Sequence, residues 1–262
     1  MKVQEKAMIS FARNLLFSTG RALREKRKES AALPGALVHQ KTGHSDIVTD
    51  HDLWVQQQIA EQIHGCYPAH HVLSEEGLNQ SLDAEFCWIL DPIDGTTNYC
   101  AWGDGYAISL GIFKEGRPFY GLVLDVEAQK LCEGEAKPQP QAAGRPASEG
   151  ILYMGFKTMQ DLERMGANPY ALAEAFRGVR YGGCASLELC EVAQGRADCY
   201  VNTHLKLWDF AAAWAILQSS GCQLRMAQSP KGQYMVCAYR SEEVYAVLPE
   251  ALKARLEGKG DK

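Results

Sequence analysis

The chain has 262 residues, 46% of them hydrophobic and 23% charged, and carries a formal net charge of −5. A chain of this length buries a core without disulfide or metal staples, and its composition is that of an ordinary globular protein. The nearest approach to a basic block, Arg24-Glu25-Lys26-Arg27-Lys28-Glu29, reads as the solvated end of a helix. No nucleic-acid surface is therefore expected, and any phosphate site must find its positive potential locally.

In chain order, Val3, Ala7, Phe11, Leu15 and Leu16 recur at helical spacing, predicting an opening helix that ends near Lys28. A Pro34-Gly35 loop reaches Lys41-Thr42-Gly43-His44-Ser45. Thr49 precedes Asp52 at capping-box spacing, and Val55, Ile59 and Ile63 line the helix that follows. Tyr67-Pro68 stops it. His71 to Ser74 reads as a strand running into Glu75-Glu76-Gly77, and Phe86 to Leu90 as a buried strand running into Asp91-Pro92-Ile93-Asp94-Gly95-Thr96-Thr97-Asn98. Tyr106 to Phe113 and Pro118 to Val126 are two more strands, joined at Lys114-Glu115-Gly116. Residues 134–150 are rich in Pro, Gly, Ala and Gln and read as a linker, dividing the chain into halves 1–145 and 146–262. Beyond it, helices are expected over Pro169 to Phe176, Cys184 to Gln194 and Asp209 to Ser220. Strands are expected at Ala197 to Val201, Cys222 to Arg225 and Tyr234 to Ala238, before one final helix capped by Ser241. Alternating strands and helices in both halves predict layered α/β architecture.

Cysteines 66, 87, 100, 132, 184, 190, 199, 222 and 237 make nine, an odd number, with no Cys-x-x-Cys pair. A disulfide framework or structural zinc site is not expected; reduced, core-type thiols in a cytoplasmic protein fit better. The N-terminus lacks the apolar core of a signal peptide, and no apolar run approaches a membrane span.

Four acidic groups stand out: Asp46 with Asp52, Glu75 with Glu76, Asp91 with Asp94, and Asp209. Each has a plain structural reading. Asp91-Pro92-Ile93-Asp94 makes a turn and helix cap, Glu75-Glu76 a solvated loop, Asp209 an N-cap, and Asp52 a first-turn helix acid. Jointly they offer more. Strand ends are where α/β sheets bind ligands, and Mg²⁺ takes carboxylates, waters and substrate phosphate. The Asp91–Asp94 spacing aims both carboxylates and the Ile93 carbonyl at one spot. Two metals about 4 Å apart then clamp the attacking and leaving oxygens of an in-line displacement. If a helix begins at Gly95-Thr96-Thr97, its free N–H groups supply a phosphate dock.

Trp88 to Tyr99 closely resembles the first signature of the inositol monophosphatase family, and Trp208 to Ala213, closed by Gly221, its second. Leu73 to Gly77 and Asp46 to Asp52 are similar to two further acidic segments of that family, in the same order. The resemblance implies an α-β-α-β-α sandwich shared with fructose-1,6-bisphosphatases. It also implies Mg²⁺ dependence with two or three ions, lithium sensitivity and a cytoplasmic homodimer. Exposed apolar surface on the strands near Tyr106 to Val126 is expected to support that dimer. By position, Glu75, Asp91 and the Ile93 carbonyl should hold one metal, and Asp91, Asp94 and Asp209 a second, with Glu75 near a weaker third. Thr96, paired with Asp52, should orient and deprotonate the attacking water. The backbone of Gly95 and Thr96 should receive phosphate. Gly183, Cys184, Ala185 and Asn202 should meet substrate hydroxyls; Cys184 and Asn202 depart from the hydroxyl and glutamate common at those places, which weakens strict inositol preference. Lys41 matches a lysine in a loop near the metals, Arg180 an arginine near the substrate, and Asp46 a loop support. The expected reaction is hydrolysis of a small polyol phosphate monoester, inositol monophosphate or a related sugar phosphate, by water activated at the metals. Fructose-1,6-bisphosphate, a 3′-phosphoadenosine nucleotide, NADP and histidinol phosphate are alternative substrates, and a regulatory partner of the transcription machinery is the non-enzymatic alternative.

Overall fold

The computed structural model describes the backbone of residues 2–30, 38–43, 46–78 and 81–258; side chains of residue 30 and of 38–48 lie outside the described set, as does the Pro34-Gly35 loop. Helix α1 (Val3–Ser30) buries Met8, Ile9, Ala12, Leu15, Leu16 and Leu23 along one stripe. An antiparallel pair follows, β1 (Val38–Gly43) and β2 (Asp46–Thr49), where the sequence suggests only a loop. Thr49 then caps α2 (Asp50–Cys66) through a reciprocal box: Asp52 N donates to Thr49 Oγ1, and Thr49 N donates to Asp52 Oδ2 at 2.8 Å.

The strands β3 (His71–Ser74) and β4 (Phe86–Asp94), the short helix α3 (Thr96–Ala101), and β5 (Ala107–Lys114), β6 (Arg117–Asp125) and β7 (Lys130–Glu135) come next. They form a five-stranded sheet in chain order, with β3 and β4 parallel and the other pairs antiparallel. β7 takes the first residues of the expected linker; the rest is irregular apart from a 3-10 turn at Ala147–Glu149. Then come β8 (Ile151–Met154), α4 (Phe156–Arg164), α5 (Pro169–Glu174), β9 (Gly178–Arg180), α6 (Ala185–Ala193), β10 (Cys199–Leu205), α7 (Leu207–Ser219), β11 (Gln223–Gln228) and β12 (Tyr234–Tyr239). The second sheet has the order β11-β12-β10-β8-β9. The expected last helix is two, α8 (Glu242–Ala246) and α9 (Glu250–Leu256), because Pro249 between them has no N–H to continue a helix.

The layers run α1 and α2, first sheet, α6 and α7, second sheet, then α4, α5, α8 and α9. This is the α-β-α-β-α sandwich. Strand β4 is buried along its whole length because both faces of its sheet are covered. For the same reason the strands between Tyr106 and Val126 hold no exposed apolar face: Ile108, Leu110 and Ile112 pack under α1 and α2, while Ala107 and Val123 pack toward α6 and α7. The surface argument for a dimer is therefore corrected. No described helix is long and apolar enough to cross a membrane, and the nine cysteines are free.

One packing detail positions the site. Gly111, Gly121 and Gly134 lie side by side across β5, β6 and β7. Helix α7 rests directly on this smooth row: a Cβ at Gly121 would sit 1.9 Å from the Ala212 carbonyl oxygen.

Candidate active site

The parallel pairing of β3 and β4 aligns Ser74 with Leu90, so the next residues, Glu75 and Asp91, emerge side by side. Glu75 N donates to Leu90 O at 3.3 Å and holds this alignment. The β4–β5 ladder then breaks between Asp91 and Asp94, where Pro92 has no donor to give. Gly95 follows with φ of 86°, in the left-handed region, and a Cβ there would meet Cys184 Cβ at 3.0 Å and Gly105 O at 3.2 Å. Only glycine satisfies both demands. It turns the chain into α3, whose Asn98 ties two loops together by donating to Gly105 O (2.8 Å) and Gly182 O (2.7 Å).

Asp94 does something the sequence does not suggest. Its carboxylate accepts from Ala185 N (3.2 Å), Ser186 N (2.5 Å) and Cys184 Sγ (3.2 Å). It thus caps α6 from another element, since Cys184 at the N-cap provides no cap of its own. A carboxylate with about four lone pairs retains one acceptor direction after three such bonds. Asp209 is the third residue of α7 rather than its cap, and Oδ2 accepts from Lys206 N at 2.8 Å. Glu188, on α6, is another residue sequence reasoning passed over. It accepts from Gly182 N at 2.5 Å and Gly183 N at 2.9 Å, shaping the loop that faces Asp94. An isolated acid on the apolar run Leu187-Glu188-Leu189 was the available signal.

Glu75, Asp91, Ile93, Asp94, Gly95, Thr96, Gly183, Cys184, Ala185, Asn202 and Asp209 line one cavity of about 250 Å³, joined by Thr97, Glu188, Tyr200, Leu205 and, at its exposed mouth, Tyr181. Asp52 is absent from this lining. It is buried in the capping box with Thr49, while Thr96 Oγ1 donates to Ile93 O at 2.9 Å, so the expected Asp52–Thr96 pair is not formed. Arg180 Nη1 donates to the neighbouring Val179 carbonyl and does not line the cavity. Lys41 and Asp46 lie on β1 and β2, their side chains outside the described residues. A larger groove of about 650 Å³ between α1 and α2 has no acidic residue in its lining and offers no comparable chemistry.

The acids share a cavity rather than a finished coordination shell: among the described residues no three His, Cys, Asp or Glu side chains form a ready-made metal-ligand group. Their electrostatics are those of charges awaiting a counter-charge. Burial drives Asp91 well above the usual carboxylate range, and Glu75, Asp94 and Asp209 add repulsion. Burial raises Asp209, with Asp94 next. Burial raises Asp94 too, against the pull of its bonds from Ser186, Cys184 and Ala185. Asp52 and Glu188 are each pushed up to about 7, in both cases chiefly by burial. Asp91 Oδ1 is buried with no hydrogen-bond partner. An all-oxygen donor set with one orphaned carboxylate oxygen fits a hard divalent cation.

A stability prediction follows from the signs. An acid whose folded pKa exceeds its unfolded value binds more protons folded than unfolded, so its contribution falls as pH rises through the interval between the two. For Asp52 and Glu188 that interval runs from the ordinary carboxylate range near 4 up to about 7. Chelator-treated protein is expected to melt at a lower temperature at about pH 8 than at about pH 5, with added Mg²⁺ restoring more stability at the higher pH. A melting point that climbs across this window under chelation contradicts the assignment.

Strand ends converging on a carboxylate-lined cleft within an α-β-α-β-α sandwich define a layered α/β protein with a pocket suited to a hard divalent cation. The model of the inositol monophosphatase family matches residues 4–256, and the chain belongs to that family, whose activity is that of a phosphoric monoester hydrolase. It is 32% identical to an inositol-1-monophosphatase of Bacillus subtilis over 70% of this chain and 74% of that one. It is equally 32% identical to the Nus factor SuhB of Haemophilus influenzae, over 71% of this chain and 74% of the other. Among solved structures, an IMPase/NADP phosphatase complexed with Mg²⁺ and phosphate superimposes with a TM-score of 0.69, at 24% identity over 88% of this chain and 93% of that one.

Proposed function

We propose that this phosphatase hydrolyses the phosphate monoester of a small polyol, inositol monophosphate or a related sugar phosphate, with two or three Mg²⁺ ions and sensitivity to lithium. The single observation that carries the reading is the convergence of Glu75, Asp91, Ile93, Asp94 and Asp209 on one cavity beside Gly95 and Thr96. When bound, Mg²⁺ supplies charge neutralisation at the phosphoryl oxygens and lowers the pKa of water. Glu75, Asp91 and Ile93 O would hold one ion, and Asp91, Asp94 and Asp209 the other, with Glu75 near a third.

Thr96 orients the attacking water. Its hydroxyl proton is committed to Ile93 O, which leaves its oxygen lone pairs to accept a hydrogen bond from that water. Asp52 is held by Thr49 and coupled electrostatically to Glu75 and Asp91, without contact with Thr96. The Gly95 and Thr96 amides, at the start of α3, receive phosphate. Gly183, Ala185 and the loop held by Glu188 form the wall that meets substrate hydroxyls.

Two side chains support a relaxed choice of polyol. Cys184 Sγ is engaged by Asp94. The Asn202 amide donates to the Tyr200 hydroxyl at 3.2 Å and accepts from His204 N at 2.9 Å. Neither is fully free to grip a substrate hydroxyl, and neither brings the charge that would strengthen such a bond. The volume of about 250 Å³ supports a small ligand over a dinucleotide. The presence together of Asp52, Glu75, Asp91, Asp94 and Asp209 favours catalysis, in a cytoplasmic homodimer, over a purely regulatory role.

The test is a panel of inositol monophosphate, sugar phosphates, fructose-1,6-bisphosphate, a 3′-phosphoadenosine nucleotide, NADP and histidinol phosphate, ranked by kcat/KM with Mg²⁺, with chelator and with lithium. Small polyol monophosphates should lead, with turnover lost under chelation and depressed by lithium. A nucleotide at the head of the ranking, or turnover indifferent to chelator, refutes the proposal.

A further inference from the structure

Among the described residues only two buried side-chain oxygen or nitrogen atoms lack a hydrogen-bond partner: Asp91 Oδ1 and Ser109 Oγ. They are not scattered. Asp91 on β4 and Ser109 on β5 are direct register partners, and opposed residues of an antiparallel pair stand on the same face with Cβ atoms about 4.5–5.5 Å apart. Asp91 is 2% exposed and Ser109 0%. Their common face is the one under α7, where Gly111, two residues on from Ser109, touches Ala211.

On its other flank Ser109 is paired with Val123 of β6, which is apolar. Across either neighbouring strand, then, the polar side chain opposite Ser109 is Asp91. A buried hydroxyl without a partner is costly, and native interiors rarely keep one. An alanine would fill the same space without that cost. A serine here makes sense if the partner becomes available in the working state of the site.

We propose that Ser109 is a positioning residue for the metal site. Its Oγ–H donates to the Asp91 carboxylate when that carboxylate binds a divalent cation, fixing the carboxylate's orientation. Nothing moves but a side-chain rotation and the hydroxyl proton, and no bond other than the hydrogen bond is made. The inference rests on the reading of the cavity as a Mg²⁺ site. It adds to that reading a residue outside the cavity lining, on a strand that contributes no ligand.

The experiment uses the full chain and Mg²⁺ alone. Calorimetric titration of Mg²⁺ into the parent and into Ser109→Ala is paired with thermal melting of both proteins in chelator and in Mg²⁺. The variant should bind Mg²⁺ about 10- to 100-fold more weakly, as loss of an outer-shell partner does. In chelator it should melt no lower than the parent, because no hydrogen bond is lost there. Ser109→Cys, of similar shape with a weaker donor, should fall between the two in affinity. Equal Mg²⁺ affinity in parent and Ser109→Ala overturns the proposal. So does a fall in melting point in chelator as large as that in Mg²⁺, which marks a plain structural serine. A parent protein that fails to bind Mg²⁺ overturns the reading of the site itself, and this proposal with it.

Discussion

Asp94→Asn is expected to lower kcat/KM by about 10³-fold, in line with the loss of one preorganised electrostatic group at a reacting centre. The substitution keeps the side-chain shape and one oxygen acceptor while removing the negative charge. In the structure Asp94 has two jobs. It faces the shared cavity with Asp91 and Asp209, and it caps α6 through Ala185 N and Ser186 N. The two are separable by choice of variant. Asn retains an acceptor for one of the two α6 amides, so its folded stability should stay within about 1 kcal/mol of the parent. Asp94→Ala deletes the cap as well and should cost about 1–2 kcal/mol of stability on top of the lost activity. Steady-state kinetics with a Mg²⁺ titration, together with urea unfolding of both variants, measures each part. Near-parental turnover in a folded Asp94→Asn protein removes this residue from the catalytic machinery.

Gly121→Ala should be nearly as damaging, although Gly121 lies on β6 and outside the cavity lining. The added methyl would stand 1.9 Å from Ala212 O and 2.7 Å from Ala212 C. These are backbone atoms, so no rotamer change relieves the clash and α7 must lift from the sheet. Overpacking of this kind costs about 1–3 kcal/mol. The larger consequence is geometric. Asp209 rides on the first turn of α7, and a misplacement of about 1 Å at a reacting centre costs on the order of 10²-fold in rate. Gly121→Ala is therefore expected to lose about 10²-fold in kcat/KM and several degrees in melting temperature. Gly65→Ala is the control. Gly65 lies near the end of α2, and a methyl added there would have nothing within 4 Å. Alanine at that position should add about 0.5–1 kcal/mol with activity unchanged. Parental kinetics in Gly121→Ala would mean that α7 is not held against the sheet as described.

Much of the site is local in sequence, and local signals survive without coordinates. Asp91-Pro92-Ile93-Asp94-Gly95 combines a missing donor, two acids and an obligatory glycine within five residues, so turn and ligands are read together. The capping box at Thr49 and Asp52 is equally local, and it forms as the spacing predicts. The pairing of Asp52 with Thr96 joins residues 44 positions apart; local chemistry resolved it otherwise, giving Asp52 to Thr49 and Thr96 to Ile93. The strands at Tyr106 to Val126 looked half-exposed because apolar content does not say how many faces are covered; α1, α2 and α7 together cover both.

By itself the sequence determined the strand ends carrying Glu75 and Asp91, the Asp91–Gly95 bend, the Asp209 helix and the layered α/β class. Each of these is written in a short stretch of periodicity, missing donors and turn residues. Only the tertiary structure decided that Asp94 caps α6, that Glu188 shapes the Gly182–Gly183 loop, that Ser109 stands opposite Asp91, and that a row of glycines seats α7 so that Asp209 reaches the cavity. The physical reason is that these depend on close approach between segments tens of residues apart. Hydrogen-bond satisfaction and steric clearance there are set by how elements pack, not by what any one of them contains.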